Sequence, residues 1–174
     1  LATDIKIGED DQTKIDFEDV NTINFYADNT KHAYLTGFGF SQVYDPSTLS
    51  STADHSGEIV KSGDDSTTAG KIYYSNNGTW TATDADAAAT SNGLIAVALG
   101  SNSTTHGMLL RGIVKLSHDP GGNIGVPLYL STTAGDATST APLGTGDIVR
   151  VIGYNLGTSG EIYFNPDNTW VEVS

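Results

Sequence analysis

Cysteine is absent from all 174 residues. That excludes a disulfide framework, thiolate nucleophiles and thiolate-rich zinc or iron–sulfur sites, leaving packing, strand pairing and assembly to hold the fold. Basic residues are scarce: 8 Lys+Arg stand against 21 Asp+Glu, a formal charge of −13. Such a chain is repelled by nucleic acid and by anionic lipid, so no nucleic-acid partner is expected. The acids recur from Asp4 to Glu172 and read as a solvated surface, not a tail. No apolar run approaches the ~20 residues that span a bilayer, and no membrane insertion is expected. The opening "LATDIKIGEDD" also lacks the basic start and apolar stretch of a signal peptide. The chain begins with Leu1, which reads as a processed product or a segment of a longer polypeptide.

Signatures of chemistry are equally sparse. His32, His55, His106 and His118 are far apart, with no His-x-x-x-His pair that a helix would aim at zinc. His118 precedes Asp119 in "SHDPGG", where the carboxylate could orient the imidazole, but Asp-Pro-Gly-Gly is first a turn. "GTSGE" at 157–161 has the wrong spacing for a nucleophile elbow, and "GGNIG" at 121–125 lacks the lysine of a phosphate-binding loop. Acid clusters at Glu9-Asp10-Asp11, Asp64-Asp65 and Asp84/Asp86 fit no calcium-loop pattern and read as turn carboxylates. No catalytic residue, cofactor or metal ligand is assigned, and the chain reads as a non-enzyme.

What is present is short strands. Residues 4–36 alternate apolar and polar side chains between acidic or amide-rich turns, so Ile5/Ile7, Ile15/Phe17, Ile23/Phe25 and Ala33/Leu35 each mark one buried face of a four-stranded meander. Each strand offers only about two large apolar groups, too few for an independent core, so the meander needs a partner surface. Residues 41–57, "SQVYDPSTLSSTADHSG", hold no sustained period and read as a linker. Nine further strand-like words follow from "GEIVKS" to "TWVEV", each bounded by Gly, Asn, Asp or Pro, with one helical turn in "DADAAATS". The expected fold is all-β: an N-terminal extended meander or arm over 1–40, the linker, and an antiparallel β-barrel or sandwich over 58–174.

Only two tryptophans occur, and both close the same phrase: "GKIYYSNNGTW" at 70–80 and "GEIYFNPDNTW" at 160–170. Asn77-Gly78 supplies the positive-φ pair of a tight hairpin, and Asn165-Pro166-Asp167-Asn168 offers an alternative turn of equal length. Trp80 and Trp170 are therefore expected to be buried hairpin anchors, with a carbohydrate-stacking pair as the competing reading.

Residues 93–174, through "GMLLRGIVKL", "GVPLYLSTTAG", "VRVIGY" and "IYFNPDNTWVEV", resemble the C-terminal module of virion structural proteins of tailed bacteriophages, especially those of marine and cyanobacterial hosts. "IKIGEDDQTKIDFEDVNTINFYADNTKHAYL" is similar to meander segments of appendage and fibre proteins of the same phages, and the Gly-x-Pro-Leu-Tyr-Leu rhythm is similar to small trimeric capsid decoration proteins. The resemblance implies a non-enzymatic building part of an extracellular particle. The expectations are a trimeric fibre, spike or appendage subunit, assembling through Ile5, Ile7, Ile15, Phe17, Ile23 and Phe25; next a capsid decoration protein; third a carbohydrate-binding module. Expected partners are copies of itself, other virion proteins and a host surface glycan.

Overall fold

The computed structural model describes residues 4–6, 12–17 and 19–174. The chain divides into two compact units, Leu1–Tyr44 and Asp45–Ser174. All sheets are antiparallel, as expected for an all-β chain.

The first unit is a meander of five strands paired in chain order: β1 (Asp4–Lys6), β2 (Lys14–Asp16), β3 (Ile23–Ala27), β4 (Thr30–Thr36) and β5 (Gly39–Gln42). Four strands were expected over 4–36, and β5 is a fifth. Asp28 and Asn29, at φ 50° and 56°, form the two-residue turn that joins β3 to β4 with the right twist. Cross-strand partners Ile15, Phe25 and Ala33 make one apolar row, and Ile23, Leu35 and Phe40 make the next. The Phe25 and Phe40 rings meet edge to face with centroids 6.4 Å apart, so both rows share one side of the sheet.

The second unit contains β6 (His55–Val60), β7 (Ile72–Asn76), β8 (Thr79–Ala82), the single turn α1 (Ala88–Ser91), β9 (Ile95–Ala98), β10 (Met108–Lys115), β11 (Pro127–Leu130), β12 (Ala137–Thr138), β13 (Ile148–Val149), β14 (Val151–Asn155), β15 (Glu161–Phe164) and β16 (Val171–Glu172). Eight strands form a curled half-barrel in the order β12-β11-β14-β15-β10-β9-β7-β8, with β6 on β10. Single backbone bonds lace its two ends together: Ile72 N–H to Gly135 O, Gly135 N–H to Thr83 O, and Ala85 N–H to Ser131 O. These bonds satisfy edge groups that an open sheet would leave exposed.

β10 is the branch point. One edge pairs with β6 along most of its length, while the other gives its first residues to β9 and its last to β15. The strand shifts register between Leu109 and Arg111, and Gly112 then adopts φ 140° opposite Gly57. A Cβ at Gly112 would stand 2.7 Å from the Gly57 Cα and collide with Ser56 O, so the close backbone approach requires glycine.

Inside the curl lie Ile72, Ile95, Val97, Leu109, Val114, Leu128, Leu130, Ile152, Ile162 and Phe164, all essentially inaccessible. A second cluster on the other side of β7–β10 joins Tyr73, Trp80, Ala96, Ala98 and Met108. Loop residues seal it: Thr68 N–H donates to the Tyr73 hydroxyl, Trp80 Nε1–H to Ser62 O, and Trp80 N–H to an Asp65 carboxylate oxygen. Such polar ends let large aromatics be buried without orphaned donors.

Two sequence expectations are corrected by this fold. The stretch 41–57 is not a plain linker: Gln42 ends β5, Pro46–Thr48 is a 3₁₀ turn capped by the Asp45 carboxylate, and His55 begins β6. Pairing with β10, invisible in a local window, supplies the order that composition did not predict. The word "DIVRVIGY" also splits into two strands in different sheets. Arg150, between β13 and β14, is drawn inward and is 2 % exposed.

Candidate assembly surface

Among the described residues, the N-terminal sheet presents an apolar side with no second layer of its own unit. Phe17 is 43 % exposed, Leu35 41 % and Phe40 66 %, while Ile15, Ile23 and Phe25 are only partly buried. Phe17, Ile23 and Leu35 wall a shallow groove that continues to Thr22 and Thr36. Ile5 lies on β1 opposite Ile15 by backbone register, and Ile7 lies outside the described residues.

Among the described residues of this unit, the fully buried side chains lie on the other side of the sheet. Asp16 is 6 % exposed and Asn24 fully buried, in the row Asp16–Asn24–Tyr34–Ser41. Lys14 lies 5.4 Å from the Tyr26 ring centre, Lys31 lies 5.8 Å from Tyr26 and 5.7 Å from Tyr34, and Lys14 pairs with Asp16 at 3.7 Å. Long side chains with apolar stems shield their short polar neighbours, whereas among the described residues no such stems cover the opposite side. Asn24 Nδ2 donates to Asp19 at 2.9 Å, while its Oδ1 has no donor among the described residues.

The tryptophans separate. Trp80 is 5 % exposed and anchors a true hairpin, β7–β8, whose Asn77-Gly78 turn has φ 50° and 90°. Trp170 is 38 % exposed and anchors no hairpin. After β15 the chain keeps following β14, with Asn165 N–H on Ile152 O and Asp167 N–H on Val151 O, and β16 then pairs with β13. Pro166 has no N–H to offer a returning strand, and β14 already supplies carbonyls to its neighbours. The paired-tryptophan platform is thus not formed, since Trp80 is spent on packing.

His118 does meet an aspartate, though not Asp119. Asp119 accepts the Gly121 N–H at 2.9 Å as a turn residue. His118 Nδ1 instead stands 3.0 Å from Asp136, off the line of a hydrogen bond, and Lys71 pairs with the same carboxylate. Its Nε2 lies 3.0 Å from both the Ala137 N–H and the Ala137 carbonyl. The nitrogen that a His–Asp pair would offer to a substrate is occupied by backbone, so the cluster clasps three segments together.

The acid clusters are structural as well. Asp64 accepts from the Asn102 side chain, Asp65 holds Trp80, and Asp84 accepts the Asp86 N–H. Glu9-Asp10-Asp11 lies outside the described residues. Among the described residues, no group of three His, Asp or Glu converges to hold a metal ion.

One cleft of the second unit went unforeseen. Arg150 donates Nε–H to Asp167 O at 2.8 Å, Nη1–H to Ser91 O at 2.6 Å and Nη2–H to Gly93 O at 3.0 Å. Burial lowers the pKa of this guanidinium, and the charge of Asp167 opposes that shift. Arg111 lines the same cleft and donates to the Tyr163 hydroxyl at 3.2 Å. No motif joins positions 111 and 150, so only the fold could bring them together.

No protein-family model, no curated protein and no solved structure matches this chain.

Proposed function

We propose that the chain is a non-enzymatic structural subunit of a tailed-phage particle, a fibre, spike or appendage part that assembles as a homotrimer through its N-terminal sheet. The observation that carries this reading is the open apolar side holding Ile15, Phe17, Ile23, Phe25, Leu35 and Phe40. Three such sheets turned inward about a three-fold axis would bury these rows in one shared core. Copies of the same sheet are the economical occupant, because a closed homo-oligomer repeats one interface around its axis. The resemblance of residues 93–174 to virion modules supports the choice of particle.

Sedimentation of the full chain tests the proposal. A concentration-stable trimer is expected, and Leu35→Asp with Phe40→Asp should convert it to monomers whose second unit melts unchanged. A wild-type monomer at high concentration, or a double variant that remains trimeric, would refute assembly through this side. Antibody labelling of intact virions distinguishes a tail location from the capsid decoration role.

A further inference from the structure

The chain contains two Asn-Gly dipeptides, Asn77-Gly78 and Asn92-Gly93. Asparagine before glycine can lose its side-chain amide, because a residue without Cβ leaves its backbone nitrogen open to reaction with the neighbouring side chain. All four residues are exposed, so burial does not separate the two sites. Backbone conformation does. Asn77 and Gly78, at φ 50° and 90°, are the whole of the tight turn between β7 and β8. A turn of this mirror-image kind puts ψ of its first residue near about +30°, which sets the Asn77 Cβ roughly 150° from the Gly78 nitrogen about the Cα–C bond. The side chain and the nitrogen it would join then point to opposite sides, and the pairing of Asn76 with Thr79 fixes that arrangement. Asn92 instead follows α1 with φ −90° and ψ 179°. At that ψ its Cβ stands gauche to the Gly93 nitrogen, about 60° from the eclipsed arrangement of a five-membered ring. Arg150 donates to Ser91 O at 2.6 Å and to Gly93 O at 3.0 Å, so both flanks are held. The peptide plane between them is free to turn. The Asn92 side chain, the Asn92 carbonyl and the Gly93 N–H have no hydrogen-bond partner among the described residues, and a Cβ at Gly93 would meet open space.

We infer that Asn92 is a self-modification site that deamidates through the Gly93 nitrogen, and that the folded hairpin protects Asn77. The Gly93 nitrogen attacks Asn92 Cγ, the new N–Cγ bond closes a succinimide ring, the Cγ–Nδ2 bond breaks, and ammonia leaves carrying the amide proton. Water, the one co-reactant, then opens the ring at either carbonyl to give aspartate or isoaspartate. Either product places a new carboxylate on the segment that Arg150 clasps, and isoaspartate also adds a backbone methylene between Ser91 O and Gly93 O. The inference is independent of trimer formation.

Ageing of the full chain at mildly alkaline pH tests the site, read by peptide mapping with mass spectrometry and by isoaspartyl methyltransferase labelling. The peptide holding position 92 should gain about one dalton and accept the methyl label. It should do so at least about tenfold faster than the peptide holding position 77. In concentrated urea the two positions should react within about threefold of each other, because the turn and the Arg150 clasp are gone. Asn92→Gln should remove the label from its peptide, since the longer side chain closes a less favourable ring. Position 77 reacting as fast as position 92 in the folded chain, position 92 reacting only in urea, a rate ratio that persists in urea, or a label that survives Asn92→Gln would each overturn the assignment.

Discussion

The indole N–H of Trp80 donates to the carbonyl of Ser62 at 3.1 Å, across 18 positions of chain. The same residue's backbone N–H is held by Asp65, so the β7–β8 hairpin and the loop before it close together over the smaller core cluster. Trp80→Ala should cost about 3–5 kcal/mol, the range for removing a buried aromatic, whereas Trp170→Ala, at a side chain 38 % exposed, should cost only about 1–2 kcal/mol. Urea denaturation of the two variants reads the difference directly. Equal losses would contradict the unequal roles of the two phrases.

Gly112 offers a sharper test of the β10 branch. Its φ of 140° and the Gly57 backbone opposite leave no room for a methyl group. Gly112→Ala should lower stability by more than about 1 kcal/mol, the opposite of the usual gain from replacing a flexible glycine. A denaturation midpoint at or above that of the parent protein would show that β10 does not bend there.

The Lys115–Glu161 pair links β10 to β15 at 2.6 Å. The hydrogen bond from Lys115 holds the Glu161 carboxyl below its ordinary pKa, burial opposes that shift, and the Ser159 N–H adds a further lowering bond. A carboxyl depressed in the folded state stabilises the fold fully above its unfolded pKa, and this contribution is lost as pH falls through the folded value. Glu161→Gln should therefore be less stable than the parent at neutral pH, with the two stability curves converging in acid. Parallel curves from neutral pH to strong acid would mean that the ion pair contributes nothing to the acid limb.

Every residue of the two core clusters lies between Ala53 and Phe164. Removing residues 1–44 should thus leave a second unit that still melts in one cooperative transition, while trimer formation is lost. Calorimetry and sedimentation of residues 45–174 check both outcomes. A trimer persisting without the N-terminal sheet would move the assembly surface to the second unit.

Strand identity was largely legible because period-two alternation is local. Ile15/Phe17 and Ile23/Phe25 were read onto one side of a sheet, and the register of β2 to β5 puts their rows there. Which side is covered was not legible, since burial depends on what lies above a face. Phe40 lies on β5, a strand beyond the four expected over 4–36. The phrase ending in Trp170 misled for a related reason. Ile162 and Phe164 fill the core as Ile72 and Tyr74 do, but the path after the strand follows the carbonyls of β14.

The sequence by itself determined the all-β class, the Asn77-Gly78 hairpin and the absence of thiol chemistry, because turn preference, alternation and composition act within a few residues. Tertiary structure alone decided that Trp80 is buried and Trp170 is not, that His118 meets Asp136, and that Arg111 and Arg150 share a cleft. Each of these depends on long-range strand pairing, which brings distant residues together without leaving a local pattern.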